Sequence, residues 1–383
     1  MKKISYWAPC LDKVGTYNAV INSALSLSKY SKDFINVSII NVCGEWDSKK
    51  DFFSKNNIEV IDINFSYFNY LPKTGYLGSR ISYLIITLFS VIPLINFLNK
   101  HKPEFIIGHL ITSLPIFLFN FFNFQTKFIL RISGYPRLNF FRKSLWKFFS
   151  KKIFKVTSPS EDLKNQLIEN KIFTSEKIFF LPDPIINLGN FKTQIQNFQN
   201  KDTIIHNKYF IAVGRLTKQK NFSYLIDEFY QYSLHQSDHN LLIFGEGEER
   251  EKLEKKIIEL KLNSKVFLMG FSNNIFAYMK NARAFILSSL WEDPGFVIIE
   301  AAFCNLFVIS SNCKNGPNEF LMNGKAGLIY EKDKKDSLKN SFKLFENLSS
   351  EKLKSMKLKA KINCSKYTLL RHHNSLKKIL FLV

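Results

Sequence analysis

Short apolar runs recur along this chain at Ile4 to Tyr6, Val37 to Val42, Val60 to Ile63, Phe105 to Gly108, Phe128 to Ile132 and Ile153 to Thr157, separated by longer stretches with helical spacing. Runs of this kind predict strands buried on both faces, and their alternation with helices predicts a doubly wound parallel sheet. The pattern breaks at Leu181-Pro182-Asp183-Pro184 and the polar residues through Asp202, which read as a linker, and resumes from Tyr209 to Ile329. The expected organisation is therefore a first doubly wound domain over residues 1–190 and a second over 200–365. A final helical segment spans 366–383.

One apolar stretch does not fit a short strand. Ile81 to Asn99 carries no charge, which is long enough for a membrane-crossing helix. Pro93, Asn96 and the hydroxyls of Ser82, Tyr83, Thr87 and Ser90 dilute it, so the expectation is a buried or partly membrane-dipping helix of the first domain. Residues 137–155 carry a different signal. Leu138, Phe141, Leu145, Phe148 and Phe149 repeat at helical spacing while Lys143, Lys147 and Lys151 line another face. A basic amphipathic helix bearing Trp146 and phenylalanines predicts contact with an anionic membrane surface. The competing reading is a core-packing helix with a solvated basic face.

Charge sharpens that choice. Of the 383 residues, 54 are Lys or Arg and 32 Asp or Glu, a net charge of +22. From Lys100 to Lys155 eleven cations face one carboxylate, Glu104, so the excess is locally concentrated. No RNA-binding motif, zinc spacing or helix-turn-helix pattern accompanies it, which argues against nucleic acid as the partner. The five cysteines, Cys10, Cys43, Cys304, Cys313 and Cys364, show no paired spacing and read as reduced thiols. Met1 to Pro9 is too short an apolar segment for a signal peptide and reads as the first strand.

The densest candidate chemistry lies in Ser288 to Ala302. A Pro/Gly turn carries Glu292, and the apolar run Phe296 to Cys304 reads as a buried helix that carries Glu300. The helix N-terminus, with Gly295 and Phe296, then lies between two carboxylates. A positive dipole end flanked by hydroxyl acceptors suits a nucleotide sugar. Upstream, Phe210 to Val213 predicts a strand, Gly214 its turn, and Arg215 and Lys220 the strand end and the next helix. Two cations outside the carboxyl end of a strand can neutralise a diphosphate, the guanidinium as a fork and the ammonium as a point charge.

These segments together resemble the retaining GT-B glycosyltransferases of family 4, glycosyltransferase group 1. The resemblance rests on Gly214, Arg215 and Lys220, on Gly245-Glu246-Gly247, on the strand ending at Gly270, on Glu292 and Glu300, and on Asn315-Gly316-Pro317-Asn318-Glu319 with Gly324 and Gly327. It covers about residues 205 to 335 well and the amino-terminal half more loosely. Asp293-Pro294 stands where the family commonly carries a small residue and an aromatic.

The resemblance implies a GT-B fold, two Rossmann-like doubly wound domains facing a central cleft, with the last helix returning to the first domain. It implies retaining transfer from a nucleoside-diphosphate sugar, UDP on family grounds, to a lipid-linked saccharide or a lipopolysaccharide or O-antigen acceptor. Arg215 and Lys220 would stabilise the departing diphosphate, Glu292 would hold the donor sugar and Glu300 the ribose diol. Gly214, Gly245, Gly270, Gly295 and Phe296 would complete the donor site. His109, after the fourth strand of the first domain, would contact the transferred sugar, and Gly15 would belong to a glycine loop that has one glycine where two are common. Arg131, Ser133 and Tyr135 would meet the acceptor. No metal and no cofactor is expected beyond the donor, and the expected location is cytoplasmic, peripheral on the inner face of the cytoplasmic membrane. Two further readings stay open: a nucleotide-sugar epimerase on the same scaffold, and a non-catalytic membrane-associated scaffold.

Overall fold

A computed structural model of the chain describes residues 1–11, 15–72, 75–134, 140–189, 191, 193, 208–234, 238–292 and 294–381; at 75, 76, 141, 142 and 145 the backbone alone is described. The chain divides into two compact units. Unit 1 comprises residues 1–185 and 367–383, and unit 2 comprises residues 186–366.

Unit 1 is built on seven parallel strands, β1 (Lys2–Trp7), β2 (Ile35–Asn41), β3 (Ile58–Asp62), β4 (Phe105–Gly108), β5 (Lys127–Arg131), β6 (Lys155–Ser158) and β7 (Ile178–Phe180), in the spatial order β3-β2-β1-β4-β5-β6-β7. Six were legible as apolar runs; β7 is only three residues long and was missed. The order reverses between β1 and β4, which pair in register Ile4 to Phe105 through Trp7 to Gly108. Neighbouring residues of each strand feed opposite cores, as expected of a parallel sheet covered on both faces. Ile106, Phe128, Leu130 and Val156 pack under α3 (Gly75–His101), α4 (Ser113–Phe121), α5 (Phe140–Phe149) and α6 (Glu161–Glu169). Ile4, Tyr6, Phe105, Ile107 and Ile129 pack under α1 (Gly15–Ser31) and α2 (Lys50–Lys55).

The second core is completed by the end of the chain. Helix α14 (Leu369–Phe381) inserts Leu376, Ile379 and Leu380 against it. A buried polar chain fastens this helix. His372 Nδ1 lies 2.7 Å from the Pro182 carbonyl, so Nδ1 must donate there and Nε2 must accept. The Ser23 hydroxyl, 2.8 Å from Nε2, donates to it and in turn accepts from Tyr6 Oη at 2.8 Å. Burial pushes the His372 imidazole down to about 4, which keeps this tautomer neutral.

Helix α3 spans the whole uncharged stretch and continues through Pro93. From Leu77 to His101 it is long and apolar enough to cross a membrane, with one third (33%) of its most apolar window buried inside the unit. Ile86, Leu94, Phe97 and Leu98 face the core, while Leu77, Ile81, Leu84, Leu88 and Ile92 form an exposed apolar ridge on the other side. The helix in the basic segment is shorter than the sequence suggests. α5 ends at Phe149, and a 3₁₀ turn, Ser150–Lys152, follows. Its aromatics are also divided: Trp146 and Phe149 pack on the core, whereas Phe140 and Phe148 point outward. The apolar face read from the sequence is therefore only partly available to a surface partner. Leu138 lies outside the described residues, as do the side chains of Phe141 and Leu145.

Unit 2 repeats the architecture with six parallel strands, β8 (Lys208–Val213), β9 (His239–Phe244), β10 (Val266–Gly270), β11 (Ala284–Leu287), β12 (Phe307–Ser311) and β13 (Leu328–Tyr330), ordered β10-β9-β8-β11-β12-β13. The reversal falls between β8 and β11, joined at Ala284 to Phe210 and Phe285 to Ile211. Its helices are α7 (Phe222–Ser233), α8 (Arg250–Glu259), α9 (Ile275–Asn281), α10 (Phe296–Phe303), α11 (Pro317–Phe320), α12 (Ser337–Glu346) and α13 (Ser350–Cys364). Phe210, Ala212, Leu241 and Ile243 pack with Phe229, Tyr232, Leu253 and Phe342 on one face.

Candidate active site

In an open parallel sheet the crevice beyond the carboxyl ends opens where the strand order reverses, because successive connections leave toward opposite faces there. In unit 2 that point lies between β8 and β11. The loop after β8 carries Gly214, Arg215 and Lys220, and the loop after β11 carries Glu292. The two segments read independently from the sequence are thus neighbours at the switch point.

They touch directly. Lys220 Nζ lies 2.6 Å from Glu292 Oε1, with both side chains largely buried. The lysine is not on the next helix, as the sequence suggested, but in the turn before α7, where its stem crosses Gly214. A Cβ at Gly214 would meet that stem at 2.9 Å. The loops are stitched by further bonds: Ser288 Oγ donates to the Lys220 carbonyl at 2.7 Å, Gln219 Nε2 to the Trp291 carbonyl at 2.9 Å, and the Leu290 amide to the Gln219 carbonyl at 2.9 Å. Ser289 donates to the same Oε1 that Lys220 contacts, and Ser311 Oγ donates to the Ser289 carbonyl at 2.7 Å. Ser289 was passed over in the sequence, where a serine three residues before a glutamate carries no signal of its own. With Oε1 held by two donors, Oε2 is the oxygen left to meet a ligand.

Arg215 is exposed in the loop that follows β8. α10 starts at Phe296 with Gly295 as its N-cap in a left-handed conformation, so the amide end of the helix lies between Glu292 and Glu300 in sequence. Glu300 is half-buried one turn into α10, and loss of solvation raises its carboxyl to about 7.

The glycine turns bring backbone against backbone. Gly245 follows β9 with φ +135°, and a Cβ there would sit 1.9 Å from the Gly214 carbonyl oxygen. Only glycine permits that approach. The Gly245 amide donates to the Gly270 carbonyl at 2.8 Å, which fixes the loops after β8, β9 and β10 as one rim.

Unit 1 has its own switch point, between β1 and β4. His109 follows β4 there, buried, with its amide donating to the Trp7 carbonyl at 2.9 Å. Burial, with the Arg131 and His372 charges as smaller causes, holds its imidazole well below the usual histidine range, so it is neutral. Gly15 opens α1 at the exposed end of the loop after β1; residues 12–14 of that loop lie outside the described residues. Arg131 does not fit the acceptor role suggested by the sequence: it is buried and paired with Asp183. Ser133 is half-buried and Tyr135 lies outside the described residues. A buried carboxylate unnoticed in the sequence, Glu45, accepts from the Cys43 amide at 2.8 Å and orders the loop after β2, and burial raises it to about 7.

Comparison with known proteins bears on both units. Residues 194–362, which include every donor-site candidate in unit 2, match the family model described as glycosyl transferases group 1. An uncharacterized glycosyltransferase of Methanocaldococcus jannaschii is 30% identical over 251 residues, 60% of either chain. The N-acetylgalactosamine-N,N'-diacetylbacillosaminyl-diphospho-undecaprenol 4-alpha-N-acetylgalactosaminyltransferase of Campylobacter jejuni is 35% identical over 162 residues, 42% of this chain and 43% of that one. The chain therefore spans less than two thirds of the length of these two curated relatives. Among solved structures, Anabaena HepE in complex with UDP superposes with a TM-score of 0.74 over 100% of both chains at 14% identity. Residues 194–362 are thus similar to the glycosyl transferases of group 1. The fold is GT-B, two parallel-sheet Rossmann-like units.

Proposed function

We propose that the protein is a glycosyltransferase that moves a sugar from a nucleoside-diphosphate sugar, a UDP-sugar in the first instance, with retention of anomeric configuration. The observation that carries this reading is the meeting of Lys220 and Glu292 at the β8/β11 switch point, with Arg215 exposed in the loop that follows β8. The bond from the anomeric carbon to the diphosphate breaks, and the acceptor hydroxyl bonds to that carbon on the same face. Its proton leaves with the departing phosphate oxygen. No enzyme nucleophile is needed, so the catalytic work is electrostatic. Arg215, Lys220 and the amide end of α10 neutralise the diphosphate. Glu292 Oε2 accepts from a sugar hydroxyl, Glu300 accepts from the ribose diol, and neutral His109 serves the transferred sugar.

A lipid-linked saccharide or an envelope glycan is the acceptor class we favour, supported by the undecaprenol-linked substrate in the name of the Campylobacter relative. Peripheral attachment to an anionic membrane is supported by the outward basic face of α5 and the exposed apolar ridge of α3. Calorimetry with UDP, GDP, ADP and dTDP and their common sugars tests the donor site. Selective binding of one nucleotide, lost in Arg215→Ala, is expected. Binding to none of them refutes the enzymatic reading in favour of a scaffold.

A further inference from the structure

The strands of unit 1 carry Gly15 and His109 at their carboxyl ends. At the opposite edge, the loops entering β5, β6 and β7 surround a recess of about 420 Å³. Four lysines line it from three separate segments. Lys127 opens β5, Lys151 and Lys152 end the turn after α5, and Lys177 precedes β7. None of the lining residues is acidic. Like charges gathered in a partly apolar recess repel more than they would in open water, so an anion is the complementary occupant.

Two of the cations are held in place by the protein. Lys177 Nζ donates to the Ser150 and Lys151 carbonyls at 3.0 and 3.1 Å, and Lys127 Nζ is turned to the other face of the sheet, 4.9 Å from the Phe154 ring centre and 5.7 Å from that of Phe105. Lys151 and Lys152 are exposed at the mouth. The floor holds an independent sign of a missing polar partner. Thr126 is only 4% exposed and its hydroxyl has no hydrogen-bond partner. Buried hydroxyls are normally satisfied, so this one is available to an acceptor that enters the recess.

The walls are aromatic, which a small inorganic anion does not require. Phe119, Phe122, Phe124 and Phe154 line the space, and Phe121 and Phe148 stand exposed close by, each packed on Phe149. Exposed cations at the mouth, a hydroxyl donor in the wall and aromatic rings beside them match a charged head on an apolar tail.

We propose that this recess binds the phosphate headgroup of an anionic amphiphile, its oxygens met by Lys151, Lys152, Lys177 and the Thr126 hydroxyl, and its apolar chain by Phe122 and the neighbouring rings. The proposal deepens the membrane-surface reading by giving it a discrete site, and it is independent of the donor site in unit 2. A lipid held here sits at the edge away from the carboxyl strand ends, so it anchors the enzyme rather than serving as acceptor.

The test is calorimetry on the full chain with monomeric dihexanoyl-phosphatidylglycerol, dihexanoyl-phosphatidylcholine and inorganic phosphate. Phosphatidylglycerol should bind, and at least tenfold more tightly than the other two. Lys151→Gln/Lys152→Gln should weaken it at least tenfold and Thr126→Val several-fold, with thermal midpoints near that of the wild type. Absence of phosphatidylglycerol binding, equal binding of inorganic phosphate, or unchanged affinity in both variants overturns the site. Vesicle flotation run alongside separates the two readings: vesicle binding without monomer binding refutes the recess and leaves the membrane-surface reading standing.

Discussion

Lys220 Nζ and Glu292 Oε1 meet at 2.6 Å across 72 positions of sequence, so one ion pair closes the loop after β8 onto the loop after β11. In the proposed donor site a diphosphate would compete with Glu292 for the same ammonium. Removing the lysine leaves a buried carboxylate without its cation, which costs about 3–5 kcal/mol in comparable cases. Lys220→Ala should therefore lower the thermal midpoint of the unliganded protein and cut transfer by two orders of magnitude or more. Wild-type initial rates in this variant would remove Lys220 from the donor site.

Glu300 gives the donor site a pH signature. Its carboxyl titrates at about 7 in the free protein because burial disfavours the charge. If Glu300 holds the ribose, as proposed, the hydroxyls supply hydrogen bonds to the ionised form, so binding lowers the proton affinity of the group and releases a proton. Affinity for a nucleotide sugar, whose diphosphate does not titrate in this window, should rise about tenfold from pH 6 to pH 8. Glu300→Gln should bind more weakly and show a flat profile in the same calorimetric series. A flat profile in the wild type would separate Glu300 from the ribose.

Gly245→Ala places a methyl against the Gly214 carbonyl in a backbone conformation that side chains resist. The rim must open, and with it the position of Arg215. Nucleotide affinity should fall by more than tenfold while the circular dichroism of the sheets is retained. Wild-type affinity in Gly245→Ala would show that rim closure does not set the site.

Much of this was readable before the structure because it depends on local rules. Apolar runs such as Phe105 to Gly108 and Phe128 to Ile132, bounded by polar residues, read as strands buried on both sides, and the Pro/Gly turn before Phe296 reads as the start of a new element. What the sequence could not supply depends on long-range pairing. Nothing near Arg131 announces Asp183 as its partner, so a buried structural cation was taken for an acceptor contact. The amphipathic pattern of α5 gives the period but not the direction, and of its described aromatic side chains Trp146 and Phe149 face the core while Phe140 and Phe148 do not. β7 is too short for any pattern, and Ser289 acquires its role only through the carboxylate it reaches.

His372 predicts an acid response of unit 1. Its imidazole titrates at about 4 when folded and near 6.5 when unfolded, so between these values the unfolded chain binds more protons. The contribution of His372 to stability is complete above pH 6.5, is lost as pH falls toward 4, and levels off below. The difference in midpoint between wild type and His372→Gln, followed from pH 4 to pH 7, should change with pH in the sense of this contribution, beside those of His109 and Glu45. An unchanged slope in the variant would mean that another group governs the acid limb.

The basic face of α5 should be separable from the donor chemistry. Lys143→Glu with Lys147→Glu reverses two charges, each worth about 1 kcal/mol near an anionic bilayer. Co-sedimentation with anionic vesicles should drop by at least tenfold while nucleotide binding stays at the wild-type level. Retained sedimentation would return α5 to the role of a packing helix with a solvated face.

The core of unit 1 draws Leu376, Ile379 and Leu380 from the far end of the chain, after the whole of unit 2. On the ribosome, residues 1–185 emerge first yet wait with one side of their sheet incompletely covered. Residues 186–366 follow with every element of their own fold already made. The unit translated second is thus the first that can finish folding, and the earlier one closes only when its last helix is released from the exit tunnel.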